Sequence, residues 1–458
     1  MKQEITRFAP SPTGHLHLGG ARTALFAWLQ AKASNGKFLI RFEDTDKERS
    51  KQIYIESILS SLLWLGIKPD ENPVFQSQKF SSYQKVAFDL LSSGKAYSCN
   101  CTTEQLEIMR QNQIKNKLQP RYDGLNRNKK LTHKEGNVIR FKMPENGITH
   151  FKDKILGNIS VENKELDDFI ILRSDSSPTY NFCAALDDFD MNISTVIRGD
   201  DHITNTLKQI NILNSLNAKL PEYAHLPMVL SAEGKRLSKR DGADDINDFK
   251  ERGYLKEAMI NYLIKLGWTY KEQEIFSKEE LINFFDISNV NKSAAKFSHE
   301  LLDFYNNHYL KTLDLENLIK LIKNDFNLPK KFLDLEKNKE IINLVREGSN
   351  NIKHLIDNLN IFYEDPLITK KMFSDFSINK EIFLNFKKKL LEVDFSDKSF
   401  IEIFLKEFMS TNNLRFPDIG KPLRLILTGT SNAPSIVDLL YLIGKKPCIE
   451  RIENFLKL

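Results

Sequence analysis

Cysteine is scarce: Cys99, Cys101, Cys183 and Cys448 are the only four in 458 residues. Thiols so few and so scattered exclude a disulfide-built fold and suit a reducing compartment. No apolar run is long enough to span a bilayer, and the opening MKQEITRFAP holds no apolar signal core, so the cytoplasm is the expected location. A one-sided charge is missing too. With 66 Lys and Arg against 61 Asp and Glu the net charge is +5, compatible with an RNA partner but far from a histone-like excess. Neither G-x-G-x-x-G nor G-x-x-x-x-G-K-[ST] occurs; Gly14 and Gly19 have the spacing of the second, but Gly20 and Ala21 stand where its lysine and hydroxyl belong. A nucleotide would have to be gripped another way.

What is present is ample material for cores. With 41% hydrophobic and 28% charged residues the chain reads as globular, and its length predicts two to four domains. The stretch RFAPSPTGHLHLGG (Arg7 to Gly20) organises the rest. Pro10, Pro12 and Gly14 exclude regular structure from its middle, and Gly19 and Gly20 remove side chains where a helix begins. The first turn of a helix attracts anions, and glycines there let a nucleotide approach the backbone. Ala21, Ala24, Leu25, Trp28 and Leu29 predict that helix, Gly36 its stop, and KFLIRF (Lys37 to Phe42) a strand running into Glu43 and Asp44. A βαβ opening of this kind places ligands beyond the carboxyl ends of its strands, gathering Arg7, Ser11, His17 and Glu43 on one edge.

Further helices are predicted over Lys51 to Gly66 and around Tyr83, Val86, Ala87, Leu90 and Leu91, both with core stripes. A polar stretch from Cys99 to about Asn137 reads as an insertion. VIRFKM and FIILRSD predict strands, and TYNFCAAL is expected to continue the sheet, with Asp187 and Asp188 ending a strand on opposite faces and so unable to act on one atom. VIRGDDH predicts a strand entering a ligand loop with Arg198 as its polar anchor, followed by a helix over Ile203 to Leu216. HLPMVLSAEGKRLSKRDG (His225 to Gly242) passes from strand into a basic loop, either a solvated face or a phosphate contact. Beyond it, GYLKEAMINYLIKLGW and later segments predict a mostly helical C-terminal third.

His17-Leu18-Gly19-Gly20 resembles the HIGH motif of class I aminoacyl-tRNA synthetases, and Arg236-Leu237-Ser238-Lys239-Arg240 resembles their KMSKS motif. RFAPSPTG, RFEDTD (Arg41 to Asp46), SPTYNF (Ser177 to Phe182) and VIRGDDHITNT (Val196 to Thr206) are similar to bacterial glutamyl-tRNA synthetases. The resemblance implies an α/β fold: a Rossmann-like catalytic domain in two halves, 1–98 and 191–240, around an acceptor-binding insertion, 99–190. A stem-contact domain, 241–309, and a helical anticodon-binding domain, 310–458, would follow. It implies ATP, with magnesium as its companion, joined to L-glutamate and the product passed to glutamate tRNA, by a monomer. His17, Gly19, Gly20 and Lys239 would be catalytic. Arg7, Ala9, Ser11, Glu43, Tyr180 and Arg198 would hold glutamate, and Pro10, His17, Gly20, Asp201 and Arg236 to Arg240 would hold ATP.

Two departures from the family pattern matter. Relatives that carry zinc add a cysteine and a histidine to a first cysteine pair; here Cys99 and Cys101 remain, but Asn126 and Asn128 occupy the other places, so zinc is not expected, His133 being the one possible substitute. Gly348 occupies the place of an arginine that inspects the last anticodon base in glutamate-restricted relatives, which implies that glutamine tRNA is also charged. Competing readings are a glutamyl-queuosine-forming enzyme, which would lack the helical C-terminal part, and a glutaminyl enzyme, which would show barrel strands after Gly242. A catalytically silent RNA-binding protein would need neither His17 to Gly20 nor Lys239, and a nucleotidyltransferase outside translation would leave the C-terminal part unexplained.

Overall fold

The computed structural model describes residues 3–46, 48–235, 245–326, 328, 332, 338–373, 380–431 and 433–458. Two compact units divide it: 1–251 with 256–302, and 252–255 with 303–458.

The first unit is built on β1 (Ile5–Phe8), α1 (Leu18–Ala33) and β2 (Lys37–Phe42), the expected βαβ start, with β1 and β2 parallel and Arg7 registered on Leu39. Gly36 between them is required by crowding, because a Cβ there would lie 1.9 Å from the Glu4 carbonyl oxygen. Helix α1 is apolar on nearly every side and buried accordingly. Next come α2 (Gln52–Trp64), β3 (Val74–Phe75), α3 (Phe80–Ser92), β4 (Ala96–Cys99), α4 (Thr103–Lys115), β5 (Val138–Phe141), β6 (Ile148–Asp153), β7 (Gly157–Glu162) and β8 (Ile170–Leu172). Then α5 (Tyr180–Asp190), β9 (Thr195–Gly199), α6 (Ile203–Ser215) and β10 (Glu222–Leu226) complete the framework.

Seven strands form the main sheet in the order β3-β2-β1-β9-β10-β6-β7, parallel except for the β6–β7 hairpin; β4, β5 and β8 form a separate antiparallel sheet. The segment 99–190 therefore supplies strands to both sheets. Chain order reverses between β1 and β9, and the crevice beyond the carboxyl ends of strands at such a point is where open α/β sheets bind ligands. The expected strand across TYNFCAAL is instead helix α5, with Phe182, Ala185 and Leu186 buried at helical spacing, so Asp187 and Asp188 lie in its last turns and not at a strand end.

Among its described residues the second unit is helical, including Leu315–Asp325, Lys339–Arg346, Ile352–Tyr363, Phe416–Thr428 and Ile436–Ile443. Side chains of Asp314, Asn351, Asp397 and Ser435 cap helix starts, satisfying amide groups that have no partner within the helix. Buried Arg451 does the converse, donating from Nη1 to the Ile361 and Leu427 carbonyls (2.8 and 2.6 Å) at two helix ends. No helix among the described residues is long and apolar enough to cross a membrane.

Candidate active site

The loop after β1 is fastened by its backbone. Glu43 N–H donates to the Pro10 carbonyl (3.0 Å), Lys51 N–H to that of Pro12 (3.2 Å) and Thr13 N–H to that of Ser11 (2.8 Å). The two prolines can offer only carbonyls, and those carbonyls tie the loop to the chain following β2. His17 ends the loop as the N-cap of α1, its Nδ1 accepting from Gly20 N–H at 3.2 Å. A neutral His17 therefore carries its proton on Nε2, where it can donate to an anion.

Beneath the loop lies a buried ionic cluster. Arg7 donates from Nε and Nη2 to Asp188 Oδ1 and Oδ2 (2.9 and 3.3 Å) and from Nη1 to the Ile197 carbonyl (3.2 Å). Arg41 reaches Asp188 Oδ1 (2.6 Å) and Glu43 Oε1 (3.2 Å). Asp187 accepts from Lys79 Nζ (2.6 Å), Gln76 Nε2 (2.9 Å) and Tyr83 Oη (2.9 Å). Burial alone would raise the Asp188 pKa, but the two guanidinium groups outweigh it and hold the carboxyl at about 2. For Glu43 the balance goes the other way: burial raises its pKa despite Arg41 and Arg7.

Arg198 differs from Arg7. It donates from Nη2 to Thr206 Oγ1 (2.6 Å) and Gln209 Oε1 (2.9 Å) and from Nε to His225 Nε2 (3.4 Å), all uncharged acceptors if the ring is neutral. Its Nη1 is buried with no hydrogen-bond partner among the described residues, and no carboxylate among them pairs with it. A buried guanidinium without a counter-charge is costly, which marks a place prepared for an anion.

These groups surround two adjoining hollows. Arg7, Ala9, Pro10, Ser11, His17, Gly20, Glu43, Tyr180 and Arg198 all line one, of about 570 Å³. Gly19 and Asp201 line the other, of about 620 Å³, and His17, Gly20, Thr23, Gly199 and His202 face both. Tyr180 Oη meets His202 Nδ1 at 3.1 Å, and burial beside Glu43 raises the phenol to about 12. Lys239, with Arg236, Leu237, Ser238 and Arg240, lies outside the described residues; Met228 and Val229 before that segment and Asp245 after it line the second hollow.

Sequence reasoning missed several participants. Arg22, inside an apolar helix, lines the second hollow and is lowered to about 10 by burial. A charged residue in so apolar a run was the available signal. His202, lowered by burial and by Arg198, closes the strand-end motif VIRGDDH and could have been noted there. Asp188 was hidden by the strand assignment.

At the cysteine pair, Asn126 Nδ2 donates to Asn100 Oδ1 (2.8 Å), Cys101 Sγ (3.3 Å) and Cys99 Sγ (3.6 Å), and Tyr122 Oη lies 3.5 Å from Cys99 Sγ. Asn128 is exposed, and His133 Nδ1 bonds Ser98 Oγ at 3.2 Å. An amide N–H aimed at both sulfurs takes the position a metal would need, so this donor set does not fit zinc. Among the described residues no group of three or more His, Cys, Asp or Glu side chains could hold a metal ion.

Residues 4–304 match the family described as tRNA synthetases class I (E and Q), catalytic domain, and residues 296–456 match one described as anticodon binding domain. A glutamate--tRNA ligase of Nitrosomonas europaea is 43% identical, with 98% of each chain covered. One of Legionella pneumophila is also 43% identical, over 99% of this chain and 97% of its own. Among solved structures, a glutamate tRNA ligase from Elizabethkingia meningosepticum in complex with its amino acid superposes with a TM-score of 0.86 at 31% identity, covering 100% of this chain and 99% of that one.

Proposed function

Because the chain belongs to the class I tRNA synthetases, among the glutamate--tRNA ligases, and is thus an aminoacyl-tRNA ligase, we propose that the two hollows seat L-glutamate and ATP side by side. The observation that carries this is Arg198, which lines the same hollow as Glu43 and whose buried Nη1 has no hydrogen-bond partner among the described residues. A cationic fork and an ionisable carboxylate in one small space suit an amino acid that carries two carboxylates and one ammonium. Arg7 contributes through the donor hydrogens that Asp188 and Ile197 leave over, and Ser11 and Tyr180 supply neutral hydrogen bonds.

In the first step a glutamate carboxylate oxygen attacks the α-phosphorus of ATP, and the bond to the bridging oxygen of pyrophosphate breaks. In the second, a ribose hydroxyl at the 3′ end of tRNA attacks the activated carbonyl, and AMP leaves with the bonding electrons. No covalent enzyme intermediate is required, so alignment and charge stabilisation do the work. His17, Gly19 and Gly20 would receive the phosphates at the start of α1, and Asp201 and Pro10 are assigned to ATP away from its phosphates, on the family resemblance. Lys239 and its neighbours, Arg236 to Arg240, are assigned to the phosphates on their sequence alone. Magnesium would arrive with ATP and neutralise phosphate charge.

The acceptor end of tRNA is assigned to 99–190, its stem to 241–309 and its anticodon to 310–458. Glutamate tRNA is the expected acceptor, with glutamine tRNA admitted through Gly348. The test is tRNA charging by the purified chain with each of the twenty amino acids. Glutamate alone should be transferred; transfer of glutamine, or of nothing, defeats the reading.

A further inference from the structure

Behind the wall of the glutamate hollow, the two strands beyond Arg198, β10 and β6, carry buried polar side chains with no part in the steps above. His225 on β10 is registered on Arg198 of β9, while Asp153 of β6 is registered on Tyr223, two residues before His225, and so reaches the histidine diagonally across the sheet. Asp153 Oδ2 accepts from His225 twice, from its backbone N–H (3.0 Å) and from Nδ1 of the ring (2.7 Å). Asp153 Oδ1 meanwhile accepts from the N–H groups of Ile155 and Leu156, both at 2.9 Å, fixing the turn between β6 and β7. The bond from Nδ1 places the ring proton there and leaves Nε2 of a neutral ring as an acceptor. That acceptor faces Arg198 Nε at 3.4 Å and Thr206 Oγ1 at 2.9 Å.

We infer that His225, oriented by Asp153, is a positioning residue for Arg198. Together with Thr206 and Gln209 it holds one edge of the guanidinium and turns Nη1 toward the substrate carboxylate. The inference rests on the reading of this hollow as the acidic amino-acid site. Three donor hydrogens of Arg198, one on Nε and two on Nη2, are taken by these neighbours, which fixes the plane of the group. The choice of uncharged acceptors matters as much as their placement. A carboxylate in direct contact, such as Asp188 provides for Arg7, would compete with the substrate; a neutral imidazole accepts a hydrogen bond without cancelling the charge. Burial keeps the ring neutral against the pull of Asp153, and Arg198 acts in the same direction. His225 is completely buried, so it acts through Arg198 and not on the substrate itself.

The test uses the full chain, with charging of glutamate tRNA followed at varied glutamate and varied ATP, and melting temperature measured in parallel. His225→Asn can still reach Asp153 but not Arg198. His225→Gln offers an amide oxygen where Nε2 stood, and Thr206→Val removes an acceptor with little change of shape. His225→Asn and Thr206→Val should each raise the KM for glutamate roughly tenfold, the effect of losing one hydrogen bond to a charged group, and leave the KM for ATP unchanged. His225→Gln should restore most of the loss, and His225→Asn should add nothing further in an Arg198→Lys background. An unchanged glutamate KM in both His225→Asn and Thr206→Val overturns the inference, as does an equal rise in both KM values accompanied by a fall in melting temperature. If the unaltered chain charges no glutamate, the reading of the hollow fails first; if it does and the variants behave like it, only the positioning role fails.

Discussion

Asp188 grips Arg7 with both carboxylate oxygens, at 2.9 Å from Nε and 3.3 Å from Nη2, from a helix turn 181 residues further along the chain. The pair joins α5 to β1 under the candidate site, and Arg41 makes it a triad through Asp188 Oδ1 at 2.6 Å. Arg7 is thus held and neutralised by the fold, while Arg198 is held and left charged. That asymmetry suggests different duties for two arginines of the same type lining the same hollow.

Removing the charge of Asp188 leaves two buried guanidinium groups short of a counter-charge. Asp188→Asn should lower the free energy of unfolding by about 3–5 kcal/mol, seen as a lower urea midpoint with an unchanged slope. The pH dependence follows from the sign of the shift. Asp188 titrates at about 2 when folded. Its unfolded value is about 3.9, so its stabilisation is complete above that pH and is lost as pH falls through the folded value. The contribution is about 3 kcal/mol, and Asp188→Asn should flatten the fall in stability between roughly pH 4 and 2.

Glu43 should show itself in substrate binding. It must be ionised to take an ammonium group, and burial raises its pKa, so it picks up a proton at a higher pH than an ordinary carboxylate would. The KM for glutamate should therefore begin to climb, as pH is lowered, above the usual carboxylate range of about 4.3. Glu43→Gln should have a KM for glutamate at least roughly tenfold higher at neutral pH, with the KM for ATP little altered, and no such climb. Parallel KM profiles in the two proteins would exclude the role.

The constraints that made the loop from Arg7 to Gly20 readable are local: prolines, glycines and a helix start within fourteen residues of one another fix what the chain can do there. Helix α5 is not legible locally because a short apolar run is compatible with a strand or a helix, and the packing that decides between them comes from α3 and α6. The partners of Arg198 were equally invisible. Asp153 and His225 are 72 residues apart and meet only because the β6–β7 hairpin joins the main sheet beside β10, a pairing that no local pattern announces. Asn126 and Asn128 stand out in the sequence only against the family pattern it resembles; the contacts of Asn126 with Asn100 and the two thiols depend on the fold.

Asn126 supplies by hydrogen bonds the cross-link that a metal would otherwise make between Cys99, Cys101 and the following loop. The purified chain should contain much less than one zinc per molecule. Chelation followed by excess magnesium should leave charging and melting temperature where they were. Asn126→Ala, by contrast, should cost about 1–3 kcal/mol of stability, because it also strips a partner from the Asn100 side chain. Elemental analysis returning one zinc per chain would overturn this account.

Gly348 bears on which tRNA is accepted. It follows the helix Lys339–Arg346, its N–H donates to the Val345 carbonyl at 3.2 Å, and a Cβ built there meets nothing within 4 Å. A Cβ at this position is therefore admitted without displacing a neighbour. If the missing arginine is what would reject glutamine tRNA, the unaltered chain should place glutamate on both tRNAs, and Gly348→Arg should restore selectivity. A base-reading arginine is worth about 1–3 kcal/mol, so kcat/KM for glutamine tRNA should fall roughly tenfold or more in the variant, while that for glutamate tRNA stays within about twofold. The two tRNAs, transcribed and assayed at matched concentrations, give the answer directly. An unaltered chain that charges glutamate tRNA and never glutamine tRNA would show that discrimination resides elsewhere in the second unit or in the acceptor end.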